Sequence, residues 1–207
     1  MNLSCVDYLD IGKHLSDNER MVQKSTREFV DNEIIPIIDK HFSKGSFPLD
    51  LIQKFADLGF LGVNLPEKYD CGGMSNIAYG LICQELERAD SGIRSFVSVQ
   101  GSLVMYPIYA YGSEEQKQYW LPKMARGEKI GCFGLTEPNF GSNPAGMLTN
   151  AKKTDGGYTL NGSKMWITNG TIADIAIVWA KTDDEIVRGF IVDTDSEGFS
   201  APEMKNK

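Results

Sequence analysis

At Gly127 the chain changes its hydrophobic rhythm, and that change limits the fold more than any other feature. Up to residue 126 apolar side chains recur at helical spacing, and from Ile130 short apolar runs alternate with Gly, Asn and Asp clusters. Ser16-Asp17-Asn18-Glu19 reads as a capping box, followed by an apolar stripe through Val22, Phe29, Val30, Ile34, Ile37 and Ile38. Pro36 falls inside that stripe and predicts a kink, because it removes a backbone donor. A second helix is expected over residues 49–58 with Gly59 as its C-cap, then a loop over 62–73 and a third helix over 75–89. Residues 93–111 are the most apolar helical stretch, interrupted by Gly101 and Pro107. Ser113-Glu114-Glu115-Gln116 opens a last helix to about Ala125. Beyond Gly127, Asn161-Gly162 predicts a hairpin between strands at 158–160 and 163–168, with further strands at 175–180 and 187–192. Helices first and strands afterwards imply an α+β chain. An all-α helical domain spans 1–126 and a mainly antiparallel β domain spans 127–207.

With 207 residues, 42% hydrophobic and 24% charged, the chain has ordinary globular composition. Its net charge of −7 gives no support to nucleic-acid binding. Cys5, Cys71, Cys83 and Cys132 form no Cys-x-x-Cys pair, and with only His14 and His41 no metal-ligand spacing can be assembled. Free thiols suit a reducing compartment. The acidic first residues form neither a transit peptide nor a signal sequence, and no apolar run is long enough to span a membrane. A cytoplasmic location is the expectation.

Two segments carry the chemistry. Cys132-Phe133-Gly134-Leu135-Thr136-Glu137-Pro138-Asn139-Phe140-Gly141-Ser142-Asn143 and Lys164-Met165-Trp166-Ile167-Thr168-Asn169-Gly170 each read as an apolar strand ending in hydroxyls and glycine. Phe133 and Trp166 could wall a flat, polar-edged ligand. Thr136, Ser142 and Thr168 could supply donors, and Gly134 and Gly141 would allow close approach. Taken alone, an apolar strand with a Trp equally suits an ordinary core.

The ordered set of motifs settles the reading. Leu65-Pro66-Glu67-Lys68-Tyr69-Asp70-Cys71-Gly72-Gly73, Gln84-Glu85-Leu86, Tyr111-Gly112-Ser113-Glu114-Glu115-Gln116-Lys117 and Tyr119-Trp120-Leu121-Pro122 precede the two segments above. Together they resemble the N-terminal and middle parts of the acyl-CoA dehydrogenase family over nearly the whole chain. The resemblance implies FAD bound by Phe133, Gly134, Leu135, Thr136, Gly141, Ser142, Trp166, Ile167 and Thr168, with Ser142 also bordering the acyl-CoA path. It implies a homotetrameric full-length form and an electron-transfer flavoprotein or similar acceptor. Asn143 stands where the motif usually has Asp, and Phe140 where it usually has a small or polar residue.

Ile93-Arg94-Ser95-Phe96-Val97-Ser98-Val99-Gln100 is similar to the glutaryl-type members, as is Leu103-Val104-Met105-Tyr106-Pro107-Ile108-Tyr109. In them the Arg is understood to meet the distal carboxylate of the substrate, so Arg94 is expected to set specificity, with Ser95 a second donor. A second carboxylate in an apolar acyl pocket needs such a guanidinium. On the residues alone, Arg94 could instead reach out to water. The implied reaction is α,β-desaturation of glutaryl-CoA, with decarboxylation to crotonyl-CoA. Alternatives are a short-chain monocarboxylic substrate or a non-catalytic flavin- or CoA-binding module. The family's base is a Glu in a C-terminal helical domain absent from these residues, so no catalytic residue is assigned and the chain alone is expected to be inactive.

Overall fold

The computed structural model describes residues 9–205; the sequence reading of residues 1–8, Cys5 included, lies outside them. Helix α1 (Asp17–Phe29) starts at the expected capping box, with the Ser16 hydroxyl accepting from the Glu19 amide and the Ser16 amide donating to the Glu19 carboxylate. A π-helical turn, Val30–Ile34, leads into α2 (Ile35–Lys44), whose first turn holds Pro36. The widened turn accommodates a residue with no N–H to donate, so the expected break is a π-bulge. The same device recurs downstream. Helix α3 (Leu51–Asp57) and α4 (Asn76–Ala89) precede α5 (Ser91–Ser98), and a π-helical stretch, Val99–Met105, then feeds α6 (Tyr106–Tyr111), which holds Pro107 in its first turn. Helix α7 (Glu114–Ala125) opens on the second capping box, between Ser113 and Gln116.

The stretch expected to be a loop does more than connect. Gly72, Gly73 and Met74 donate their amides to the carbonyls of Gly62, Leu65 and Val63, folding the segment back on itself. Leu61, Val63, Leu65 and Tyr69 are thereby buried. Gly62, at φ +82°, faces Met105 so closely that a Cβ would sit 2.6 Å from its methyl carbon.

Five strands follow among the described residues: β1 (Gly131–Gly134), β2 (Asn150–Thr154), β3 (Gly157–Asn161), β4 (Ile175–Thr182) and β5 (Val187–Asp193). Strand β4 is central. Along one edge it pairs in parallel with β1 and, further on, briefly with β2; along the other it pairs antiparallel with β5. The sheet is therefore mixed, although its longest ladders, β4–β5 and β2–β3, are antiparallel as expected. Tyr158 of β3 meets Phe190 of β5 at 5.1 Å between ring centroids, although these strands lie on opposite sides of β4, so the sheet is strongly curled.

The hairpin itself differs from expectation. Its turn is Asp155-Gly156, between β2 and β3, and residues 163–168 form no strand. Gly162 instead marks a crossing, because a Cβ there would lie 2.3 Å from the Thr149 hydroxyl and 2.7 Å from its Cα. Glycine was required for close approach, not for a turn.

Two cores result. Phe29, Phe47, Phe55, Phe60 and Phe96 interlock within the helices at centroid separations of 5.0–6.3 Å. A second core joins Val104, Met105, Ile108, Leu121 and Met124 of the helices to Ile175 and Ile177 of β4. Gln100, fully buried, stitches the same junction: its side-chain oxygen accepts from the Gly131 amide at 2.8 Å, and its amide donates to the Lys129 carbonyl at 2.8 Å. The start of β1 is thus fastened to the π-helical stretch. No helix among the described residues is long and apolar enough to cross a membrane.

Candidate cofactor cleft

Phe133, Leu135 and Thr136 leave the end of β1 on one wall of a half-open cleft of about 240 Å³, and Trp166, Ile167 and Thr168 form the other. Six of the expected cofactor residues therefore come together. Val99 and Leu103, from the π-helical stretch, complete the lining. Sequence reading missed both, although the interruptions at Gly101 and Pro107 flagged an irregular helix. The cleft is smaller than the roughly 300 Å³ at the low end of small-molecule sites, a size suited to one ring system of a larger ligand.

Gly134 lies in β1 opposite Val178, and a Cβ there would meet Lys164 Cγ at 3.3 Å, so its smallness admits the second wall. Gly141 and Ser142 do not join the cleft. They are exposed, beyond the bridge between Glu137 and Phe140, with nothing packed against the Gly141 Cβ position. The Phe140 ring covers Gly146, where a Cβ would lie 2.5 Å from it.

The cleft's polar groups point to a ligand. The Thr136 amide and the hydroxyls of Thr136 and Thr168 have no hydrogen-bond partner among the described residues. Thr136 is half-buried and Thr168 exposed, so these donors stand open at the cleft beside an aromatic and aliphatic surface, where a planar heteroaromatic ring with polar edges could engage them. Trp166 sits at φ +64°, a conformation that costs a bulky residue free energy, and more than half its surface is exposed. A large aromatic held open in this way lacks any purpose in core packing.

One carboxylate lies near the cleft. Glu137 is 5% exposed, and its pKa falls to about 2. Burial pushes it up, but the Thr149 hydroxyl, the Leu148 and Thr149 amides and the Lys164 ammonium together more than offset that. A carboxylate so strongly stabilised as its anion makes a poor general base near neutrality.

Arg94 lies on α5, which runs directly into the π-helical stretch. It is already paired: its Nε donates to Glu87 at 2.6 Å and its Nη1 to the Ser98 hydroxyl at 3.1 Å. The Glu87 partnership raises its pKa further. Ser95, expected as a second donor toward the substrate, follows Arg94 on the same helix, and its carbonyl accepts from the Ser98 hydroxyl. Ser98, one helical turn on, is the hydroxyl that the guanidinium itself reaches, a neighbour that i to i+4 spacing would have named.

Comparisons with known proteins place the whole chain. The model for the acyl-CoA dehydrogenase N-terminal domain matches residues 16–128, and that for the middle domain matches residues 132–207. A Bacillus subtilis acyl-CoA dehydrogenase is 36% identical across 94% of this chain and 52% of its own length. Among solved structures, a glutaryl-CoA dehydrogenase from Mycobacterium smegmatis in complex with FADH2 is 53% identical. It covers 96% of this chain and 51% of its own, with a TM-score of 0.93. The butyryl-CoA dehydrogenase of Megasphaera elsdenii is 36% identical over 93% of this chain and 52% of its own, with a TM-score of 0.87. The chain thus spans about half the length of the relatives it matches. With the two domain models matched in succession over residues 16–128 and 132–207, the chain belongs to the acyl-CoA dehydrogenase family.

Proposed function

We propose that this chain is the FAD- and acyl-CoA-binding part of a glutaryl-type acyl-CoA dehydrogenase. The observation that carries it is the cleft itself, in which the Thr136 amide and hydroxyl and the Thr168 hydroxyl stand open beside the aromatic surfaces of Phe133 and Trp166. Thr136, Leu135 and Phe133 would hold one edge of the isoalloxazine, and Trp166, Ile167 and Thr168 would cover it. Ser142, with Gly141, would reach the pyrophosphate and the CoA path from outside the cleft. Bound there, FAD supplies the hydride acceptor for α,β-desaturation of a thioester. The protein's own part is to orient the ring, exclude water with Val99, Leu103 and Trp166, and stabilise added negative charge through the threonine donors. Glu137 takes no part as a base, for the reason given above, and in this reading the α-proton goes to another group.

Arg94 is our candidate for the distal carboxylate. Its charge is already compensated by Glu87, which favours the second reading, a monocarboxylic short-chain substrate, and the M. elsdenii likeness supports that alternative. Identity to the M. smegmatis enzyme and the local Arg94-Ser95 motif support the first. Decarboxylation, a tetrameric assembly and an electron-transfer flavoprotein acceptor belong to the same reading. So do the division into domains 1–126 and 127–207 and a cytoplasmic setting, which the free thiols Cys71, Cys83 and Cys132 suit.

The decisive experiment is the absorption spectrum of the chain after incubation with FAD and desalting. A retained, structured flavin band supports the reading; a colourless protein means these residues do not hold the cofactor by themselves. Calorimetric binding of glutaryl-CoA and butyryl-CoA to the Arg94→Gln variant separates the two substrates. Glutaryl-CoA should weaken at least tenfold more, and equal losses would remove Arg94 from specificity.

A further inference from the structure

The second wall of the cleft is held by a side chain to which the sequence motifs assigned no role. Lys164 is 11% exposed, and its Nζ donates to the Leu135 carbonyl at 3.1 Å and to the Glu137 carboxylate at 2.9 Å. The next amide along, that of Met165, donates to the Thr136 carbonyl at 2.9 Å. Consecutive residues immediately before Trp166 therefore tie to three consecutive residues at the exit of β1. At the far end, the Asn169 side-chain amide donates to the Gly131 carbonyl at 3.3 Å. No strand ladder supports residues 163–168, so polar contacts such as these help set where Trp166 stands relative to Thr136.

We propose that Glu137 and Lys164 are positioning residues of the flavin site: their buried pair fixes the Trp166 wall against Thr136 and polarises the Leu135–Thr136 peptide. The inference rests on the FAD reading above. The Leu135 carbonyl and the unpartnered Thr136 N–H belong to one peptide group. An ammonium on that oxygen strengthens the N–H as a donor toward the cleft. Glu137 completes the device from the other side. Its carboxylate accepts from Lys164, the Leu148 and Thr149 amides and the Thr149 hydroxyl, so the chain beyond β1 is tied to the start of β2 by the same group. A buried ion pair contributes little net stability compared with apolar packing, so a pair placed here is better explained by the geometry it imposes.

The test has two arms on the whole 207-residue chain. Without FAD, hydrogen exchange at 163–171 in Lys164→Met should rise at least tenfold while exchange in α4 stays unchanged. Unchanged exchange at 163–171 overturns the clamp whether or not flavin binds. With FAD, Lys164→Met should weaken binding at least tenfold and shift the bound flavin band. Phe55→Leu, which loosens the helical core away from the cleft, should leave affinity within twofold. Equal weakening by both variants reduces Lys164 to a general stability role and overturns the proposal. If Lys164→Met does not fold, the uncharged pair Glu137→Gln with Lys164→Met carries the same comparison. A wild-type chain that takes up no FAD sinks the FAD reading separately, and the exchange arm then still decides the clamp.

Discussion

Phe133 to Thr136 and Trp166 to Thr168 face each other across one cleft, yet the two walls stand by different means. The first continues β1, laddered to β4 along its length, backed by Val104 and Met124 and fastened at its start by Gln100. The second has no ladder, runs through a strained residue, and hangs on Lys164, Met165 and Asn169. A wall made by a sheet tolerates the loss of any one contact, because the neighbouring ones hold it. A wall made by a few polar bonds puts most of its definition into one or two side chains.

The sharpest way to break the comparison is Lys164→Met, which leaves the Glu137 carboxylate buried with its cation gone. A loss of about 3 kcal/mol is expected in denaturant unfolding, and the double variant with Glu137→Gln should recover much of it. Loss below about 1 kcal/mol would mean the second wall has supports beyond these. Acid tests the same contact without mutation. The Glu137 pKa is lowered to about 2 from an ordinary 4.5, so its contribution is fully present above about pH 5. It is lost as pH falls from there toward 2. Thermal unfolding should show Glu137→Gln less sensitive than wild type across that window and no different in slope above it.

The first wall should yield more gradually. A Cβ at Gly131 would lie 2.4 Å from Val104 Cγ1 and 3.0 Å from the Met124 methyl, so Gly131→Ala should cost about 1–3 kcal/mol by overpacking. Val104→Ala in the same chain should relieve part of it, and a lack of coupling between the two would show that β1 shifts freely. The smallest effect on stability is expected from Trp166→Gly. Glycine adopts φ +64° without penalty, so stability should hold or rise by up to about 1 kcal/mol. Retention of FAD should nevertheless fall, separating the wall's strain from its use.

Much of the helical half was legible because its determinants are local. The Ser16 and Ser113 caps, the Gly59 stop and the two proline interruptions each act within one turn of chain, and the structure has all of them. Only the consequence of the prolines needed the structure, since whether a helix kinks or widens into a π turn depends on what packs beside it. Beyond Gly127 legibility fell. Asn161-Gly162 carries the strongest short-range hairpin signal, yet Thr149 crosses at that point and the turn forms at Asp155-Gly156. Ser98 was not named, because which hydroxyl reaches Arg94 is a matter of helical phase.

By itself, the sequence determined the order of helices and strands, the family and six of the residues that meet in the cleft. Each of these is written in local periodicity or in contiguous motifs. Only the tertiary structure decided that Val99 and Leu103 complete the cleft, that Ser142 stays outside it, and that Lys164 and Glu137 hold its second wall. Those outcomes depend on segments distant in sequence being pressed together: Lys164 lies 29 residues from Leu135, and Val99 lies farther still from Trp166. No local pattern records which buried polar group will find which partner, because that is set by the packing that excludes water around them.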